Sequence, residues 1–368
     1  MLHHEFNDEP YYIVDLSEIK EAFYRWSKCL PNVKPYYAMK CNPNPVITKL
    51  LHQLGCNFDC ASKSEIEHIL QISHDPECII FAHPCKYPSH IIYAKENGVN
   101  LMTFDSVEEL DKIKLYHPNA KILLRLAVDD SQSLCKFNIK FGCKLQDVDS
   151  VLSKVRELQL NLIGFSFHVG SGCKSAYTYY DALRICKEAK EIAEDKYAFD
   201  ITLIDIGGGF VAHTDEVDAV CFEDIADKIK QGQYDFFDSS MKFIAEPGRF
   251  FVQKSHTLIC HIVAKKAVDD GFIYYINDGV YGSFNCIIFD HQYPELIPVA
   301  AGNKATLYKS QIFGNTCDSL DEIKRCVMLP ELYVGDQLCV KNFGAYTTSA
   351  KSQAFNGYIV DKFIYSNL

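Results

Sequence analysis

Short apolar runs alternate with amphipathic stretches through the first two thirds of the chain. The runs at 35–40, 57–61, 79–82, 100–104, 121–127, 162–169, 201–206 and 242–245 have the length and the β-branched or aromatic content of buried strands. Stretches of helical period lie between them, among them 64–72, 106–114, 147–158 and 176–193. Eight strand-then-helix units in succession predict an α/β fold built on a (β/α)8, TIM-like barrel, with a doubly wound open sheet as the alternative. After residue 250 the pattern changes. Runs at 257–264, 272–276, 305–309, 337–341 and 358–363 follow closely with little helix between them, which predicts a second, C-terminal all-β domain. A strand near 11–14 packs into that domain in this reading, and a helix follows over 17–26. The predicted division is therefore a barrel over 21–253 and a β domain made of 1–20 and 254–368.

The ends of the barrel strands carry the chemistry. They read Lys40, Asp59, His83, Asp105, Arg125, His168, Gly207-Gly208-Gly209 and Glu246-Pro247-Gly248-Arg249. In a barrel these ends converge on one face, where barrel enzymes place their active sites. Lys40 alone reads either as a strand-end lysine reaching solvent or as a Schiff-base lysine for a carbonyl cofactor. Three small-residue loops, 168–173, 207–210 and 246–249, offer backbone N–H groups, a serine hydroxyl and a guanidinium to an anion such as phosphate. No Gly-x-Gly-x-x-Gly pattern is present, which argues against a dinucleotide. A phosphate cradle, an imine-forming lysine, the flat ring of His168 and the carboxyl of Glu246 together suggest pyridoxal 5'-phosphate, with Glu246 on the pyridine nitrogen.

Composition narrows the partners. The 368 residues carry a net charge of −11, which argues against a nucleic-acid binder and favours a cationic small molecule. No apolar run reaches membrane-spanning length and the first residues are no signal peptide. Sixteen cysteines contain no Cys-x-x-Cys pair and no histidine cluster beside them, so free thiols in a reducing, cytoplasmic setting are expected and no metal.

Eight motifs carry a resemblance to the ornithine decarboxylase family of barrel-type pyridoxal phosphate enzymes. They are Tyr-Tyr-Ala-Met-Lys-Cys-Asn at 36–42, Phe-Asp-Cys-Ala-Ser-Lys-Ser-Glu at 58–65, His-Val-Gly-Ser-Gly-Cys at 168–173 and Gly-Gly-Gly-Phe at 207–210. The others are Glu-Pro-Gly-Arg at 246–249, Asp-Gly-Val-Tyr-Gly-Ser-Phe-Asn at 278–285, Thr-Cys-Asp-Ser-Leu-Asp at 316–321 and Gly-Ala-Tyr-Thr at 344–347. The resemblance implies that Lys40 binds the cofactor covalently, that Asp59, Glu65 and Arg125 support it, and that His168 stacks on its ring. It further implies that Ser171, Gly208, Gly209, Gly248, Arg249 and Tyr346 hold the phosphate region and that Glu246 pairs with the ring nitrogen.

A head-to-tail homodimer with shared active sites follows from the same resemblance. Cys317 would reprotonate the carbon after CO2 leaves, and Asp318 would bind the substrate's distal cation. Asp290 stands at the position that sets substrate length, and Tyr281 and Phe289 would also bind the substrate. Lys140 and Asp321 stand where the family has a cross-subunit ion pair. The implied reaction is decarboxylation of L-ornithine to putrescine. Arginine or lysine decarboxylation is the alternative, and a non-catalytic, antizyme-inhibitor-like regulator a remoter one. Val211-Ala212, His83, Phe289 and Asn315 depart from the family pattern and bear on loop stiffness and pocket polarity.

Overall fold

The computed structural model describes residues 9–135, 139–212, 220–300, 306–352, 355–358 and 360–367. It divides into two compact units, Lys20–Phe251 and a second made of Val252–Leu368 with the N-terminal segment up to Ile19.

In the first unit eight parallel strands close on themselves. Their order is Leu203–Asp205, Lys242–Ala245, Val33–Ala38, Asn57–Cys60, Ile79–Phe81, Leu101–Phe104, Lys121–Arg125 and Asn161–Ser166, the last pairing back to the first. Of the closed barrel and the open sheet, the chain forms the barrel. Tyr36, Ile80, Leu123, Leu203 and Ile244 form one buried layer across the interior, with Ala82, Leu101 and Ile163 packed on it. A packed layer of this kind plugs the barrel, so chemistry is left to its C-terminal mouth.

The helices begin where local hydrogen bonding tells them to. Pro45–Leu54 follows Asn44, whose side chain accepts the Val46 N–H, and ends at Gly55 in the left-handed region (φ 97°). Lys63–Ser73 starts at Ser62, which accepts the Glu65 N–H, while the Glu65 carboxylate reaches back to the Ala61 N–H at 2.5 Å. The strand expected over 35–40 ends earlier, at Ala38, and Met39–Cys41 form one 3₁₀ turn. Lys40 therefore stands just beyond the strand, on a turn whose two flanking residues are buried.

In the second unit the long strand His256–Val268 organises the sheet. It pairs antiparallel with Tyr11–Asp15, Gln337–Val340 and Gly271–Ile276. Leu307–Phe313 continues beside Gly271–Ile276, and Glu322–Pro330 beside it. The N-terminal strand Tyr11–Asp15 also pairs with Lys362–Ser366, so the last strand lies later than the expected 358–363. The apolar pattern does not predict Glu322–Pro330, because Lys324-Arg325-Cys326 at its centre is partly or fully exposed and breaks the run. Residue 305, where another strand is expected to start, lies outside the described residues. Among the described residues no helix is long and apolar enough to cross a membrane.

Candidate active site

The barrel brings its charged strand ends together in buried surroundings. Lys40 Nζ donates to Asp59 Oδ2 at 3.0 Å, and the Asp59 side chain is fully buried while Lys40 keeps an exposed edge. The other Asp59 oxygen is buried without a hydrogen-bond partner among the described residues. Burial pushes the Glu65 carboxyl up, and the Ala61 N–H and Lys40 counter that push. Arg125 lies over the Phe141 ring, 5.3 Å from its centroid. Burial lowers the Arg125 pKa, and Glu246, Asp105, Asp205 and Asp59 oppose that shift.

His168 is held neutral. Its Nδ1 accepts the Gly170 N–H at 3.0 Å, and burial, then Arg125 and Lys40, keep its pKa well below the usual value. Asp205 and Glu246 are both buried, and burial raises both carboxyls; Glu246 is raised further by Asp205 and Asp59.

Two loops meet beside these groups. A Cβ on Gly208 would stand 2.8 Å from the Glu246 carbonyl oxygen and 2.9 Å from His168 Nε2. Gly209 has φ 103°, and a Cβ there would stand 2.5 Å from the Gly170 carbonyl oxygen. The glycine loop is anchored from behind. Tyr179 donates its hydroxyl to the Gly208 carbonyl at 2.9 Å, and Phe210 stacks on Tyr179 and meets Trp26 edge-on. Arg249, buried, approaches the Ser171 hydroxyl at 3.5 Å, and a Cβ on Gly248 would stand 2.9 Å from that of Cys41. The short strand Ser171–Cys173, which pairs with Ser133–Cys135 and fixes the Ser171 loop, is too small and glycine-broken to show as an apolar run.

These features fit pyridoxal phosphate. There is a backbone cradle that side chains would fill, a guanidinium beside a hydroxyl, a buried carboxyl oxygen left over on Asp59, and a neutral imidazole for a ring face. A family model described as "Pyridoxal-dependent decarboxylase, pyridoxal binding domain" matches residues 16–253, more than half of the chain. The chain belongs to this decarboxylase family. Its cofactor is pyridoxal phosphate and its chemistry that of a carboxy-lyase.

Relatives of this pyridoxal-dependent decarboxylase extend over nearly all of it. The ornithine decarboxylase of Schizosaccharomyces pombe is 41% identical over 370 residues, covering 98% of this chain and 84% of that protein. Antizyme inhibitor 2 of Xenopus laevis is 42% identical, covering 95% and 79%. The solved structure of the Paramecium bursaria Chlorella virus arginine decarboxylase bound to agmatine aligns with a TM-score of 0.93 at 35% identity, covering 97% and 96%.

The remaining expected site residues lie in the second unit. Cys317 is exposed, and its backbone N–H donates to Asn356 Oδ1 at 3.0 Å. Asp318 accepts the Tyr281 hydroxyl; the Leu320 N–H and that hydroxyl hold its carboxyl low. Tyr281 stacks on Phe355 with centroids 4.2 Å apart. Asp290 is buried and accepts Gln292 Nε2 at 2.6 Å, whereas its neighbour Phe289 is 67% exposed. Tyr346 takes the left-handed conformation, φ 56°.

Asp321, expected to pair with Lys140 across subunits, is buried. Its carboxylate accepts the N–H groups of Val280 and Thr316 and the Thr316 hydroxyl. It is the knot that shapes the Cys317 loop. Sequence reasoning missed Asn356 and Asp205. Asn356 is a loop amide far along the chain, and Asp205 reads as one polar interruption in an apolar strand.

Proposed function

We propose that the chain decarboxylates L-ornithine to putrescine and CO2 as a homodimer with two shared active sites. The observation that carries this reading is the Lys40–Asp59 ion pair beside a glycine and arginine cradle, at the mouth of a barrel matched to the pyridoxal-binding domain. Lys40 is the amine placed for covalent attachment of the cofactor, and Asp59 orients that amine when it is free. Arg249, Ser171 and the backbone at Gly208, Gly209 and Gly248 hold the phosphate, with Tyr346 assigned to the same task. Neutral His168 covers one ring face, and Glu246 pairs with the ring nitrogen, with Arg125 and Glu65 behind them. When bound, the cofactor supplies an electron sink for the carbon that loses CO2.

The second unit supplies the acid and the substrate's cation site in this reading. Cys317 donates the proton that replaces CO2, which its exposed position on a well-anchored loop permits. Asp318, with Tyr281 and Asp290, takes the distal ammonium, and Phe289 lines the approach. The short acid Asp290 and the 41% identity to an ornithine decarboxylase support ornithine over arginine. Sixteen free thiols support a cytoplasmic setting.

The test is product identity. Ornithine, lysine and arginine are supplied at equal concentration with pyridoxal phosphate, and amine and CO2 are measured. Putrescine as dominant product is expected. Agmatine or cadaverine in its place overturns the substrate; cofactor binding with no CO2 from any of the three overturns catalysis and leaves the non-catalytic reading.

A further inference from the structure

Glu246 does not stand alone beneath the cofactor site. Asp205 ends the strand Leu203–Asp205, and its register partner on the parallel neighbour is Ile244. Glu246 comes two residues later on the same face, so the two carboxyls are diagonal neighbours. The backbone clamps them there: Glu246 donates its N–H to the Gly207 carbonyl at 2.7 Å, and the Gly207 N–H donates to Asp205 Oδ1 at 2.9 Å. The two side chains lie within hydrogen-bond reach of each other. Asp205 is 0% exposed, and its second oxygen, Oδ2, has no donor among the described residues.

Two carboxylate oxygens that face each other in a buried site repel; with one proton between them they hydrogen-bond. The groups facing the pair do not supply enough positive charge to remove that need. Asp59 adds a third buried carboxyl on one side, while Lys40 and Arg125 are the facing cations, and Lys40 is already engaged by Asp59.

We infer that Asp205 and Glu246 share a single proton, which makes Asp205 the positioning residue that fixes the orientation and charge of Glu246 toward the cofactor's ring nitrogen. The inference rests on the proposed pairing of Glu246 with that nitrogen. One proton on two carboxyls leaves the pair with one negative charge, enough to face a protonated ring nitrogen. A second buried negative charge is avoided. No proton is consumed or released in holding the pair so.

The shared proton is tested in cofactor-free protein by infrared spectroscopy. Wild type shows a protonated-carboxyl C=O stretch at neutral pH that shifts in heavy water, and the band is lost in both Asp205→Asn and Glu246→Gln. A spectrum without that band, or a band untouched by either change, overturns the shared proton. Direct titration with pyridoxal phosphate, followed by fluorescence, then tests positioning. Asp205→Ala weakens cofactor binding about tenfold to a hundredfold, the worth of a hydrogen bond to a charged group. Asp205→Asn, which keeps a donor to Glu246, stays within about threefold of wild type. If Glu246→Gln weakens binding and Asp205→Ala does not, positioning is overturned. If the band behaves as stated and neither change alters binding, the ring-nitrogen reading of Glu246 fails while the acid pair stands. Should Asp205→Ala not fold, the Asn and Gln spectra still decide the first question.

Discussion

The barrel mouth and the Cys317 loop solve the same problem, presenting reactive groups, in opposite ways. At the barrel mouth Asp59, His168, Glu246 and Arg249 are at most 8% exposed, and each is oriented by a neighbour. Desolvated charges fixed in advance are worth more to a reaction than the same charges in water. In the second unit Cys317 stands in solvent and Asp318 is half-buried under the Tyr281 hydroxyl, on a loop tied down by buried Asp321. An exposed thiol on a rigid root suits a surface that another molecule completes; a buried, pre-paired cluster suits groups fixed in advance of binding. The groups proposed for the cofactor, Tyr346 apart, are therefore barrel groups, and the acid proposed for turnover, Cys317, is not.

Loss of the barrel's lysine should cost the most. Lys40→Ala removes the attachment amine and is expected to lower kcat/KM by about four orders of magnitude or more, measured as CO2 release. Turnover within tenfold of wild type would mean that another amine holds the cofactor. Next in size is the loop. Cys317→Ala should lower kcat by about 10²- to 10⁴-fold, the range of a lost general acid, with cofactor affinity unchanged. Mixing the two inactive variants asks whether the two regions meet across chains. If each site takes its barrel from one chain and its loop from another, random pairing restores about a quarter of wild-type activity. No recovery would show that one chain supplies both halves.

The two regions also differ in how far the sequence disclosed them. The barrel was legible because its strands are short, continuous and apolar, and because eight polar or glycine tips recur at their ends. The 3₁₀ turn at Met39–Cys41 was not, since Tyr36 to Met39 reads as unbroken strand. Asp205 escaped for a related reason: a lone acid in Leu-Ile-Asp-Ile gains meaning only when register places it diagonal to Glu246. In the β unit, Glu322–Pro330 was hidden by exposed charges at its centre, and Asn356 holds Cys317 across 39 residues of chain. Long-range pairing leaves no local trace.

The β unit does bury titratable groups, and they make its stability depend on pH. His256 is fully buried, and burial pushes its pKa from 6.5 down to about 3. The folded state keeps it neutral while the unfolded chain protonates below 6.5, so its contribution is full above 6.5 and is lost as pH falls toward 3. At pH 5 that loss is about 2 kcal/mol. Asp278 works the other way. Burial raises it from 3.8 to about 6, so its stabilising protonated form is favoured below 3.8 and its contribution is lost as pH rises through 6. Between pH 7 and 5 the two oppose each other. His256→Asn removes one side, and its Tm should fall less than that of wild type over this interval. Equal falls would exclude His256 as the source.

Substrate discrimination should respond least. Asp290 is buried and braced by Gln292, so its carboxylate stands at a fixed depth. Asp290→Glu carries the carboxylate one methylene further and frees it to meet a planar guanidinium with both oxygens. One methylene is worth ~1–3 kcal/mol of discrimination, so the ornithine-to-arginine ratio of kcat/KM should fall by about tenfold or somewhat more. Total activity toward ornithine should drop by a similar factor, because an ammonium gains nothing from a second oxygen at that angle. The experiment is a competition between the two amino acids with amine products quantified. If the ratio stays at its wild-type value, discrimination does not run through Asp290. It would then lie with Asp318 and the Tyr281 hydroxyl that holds it.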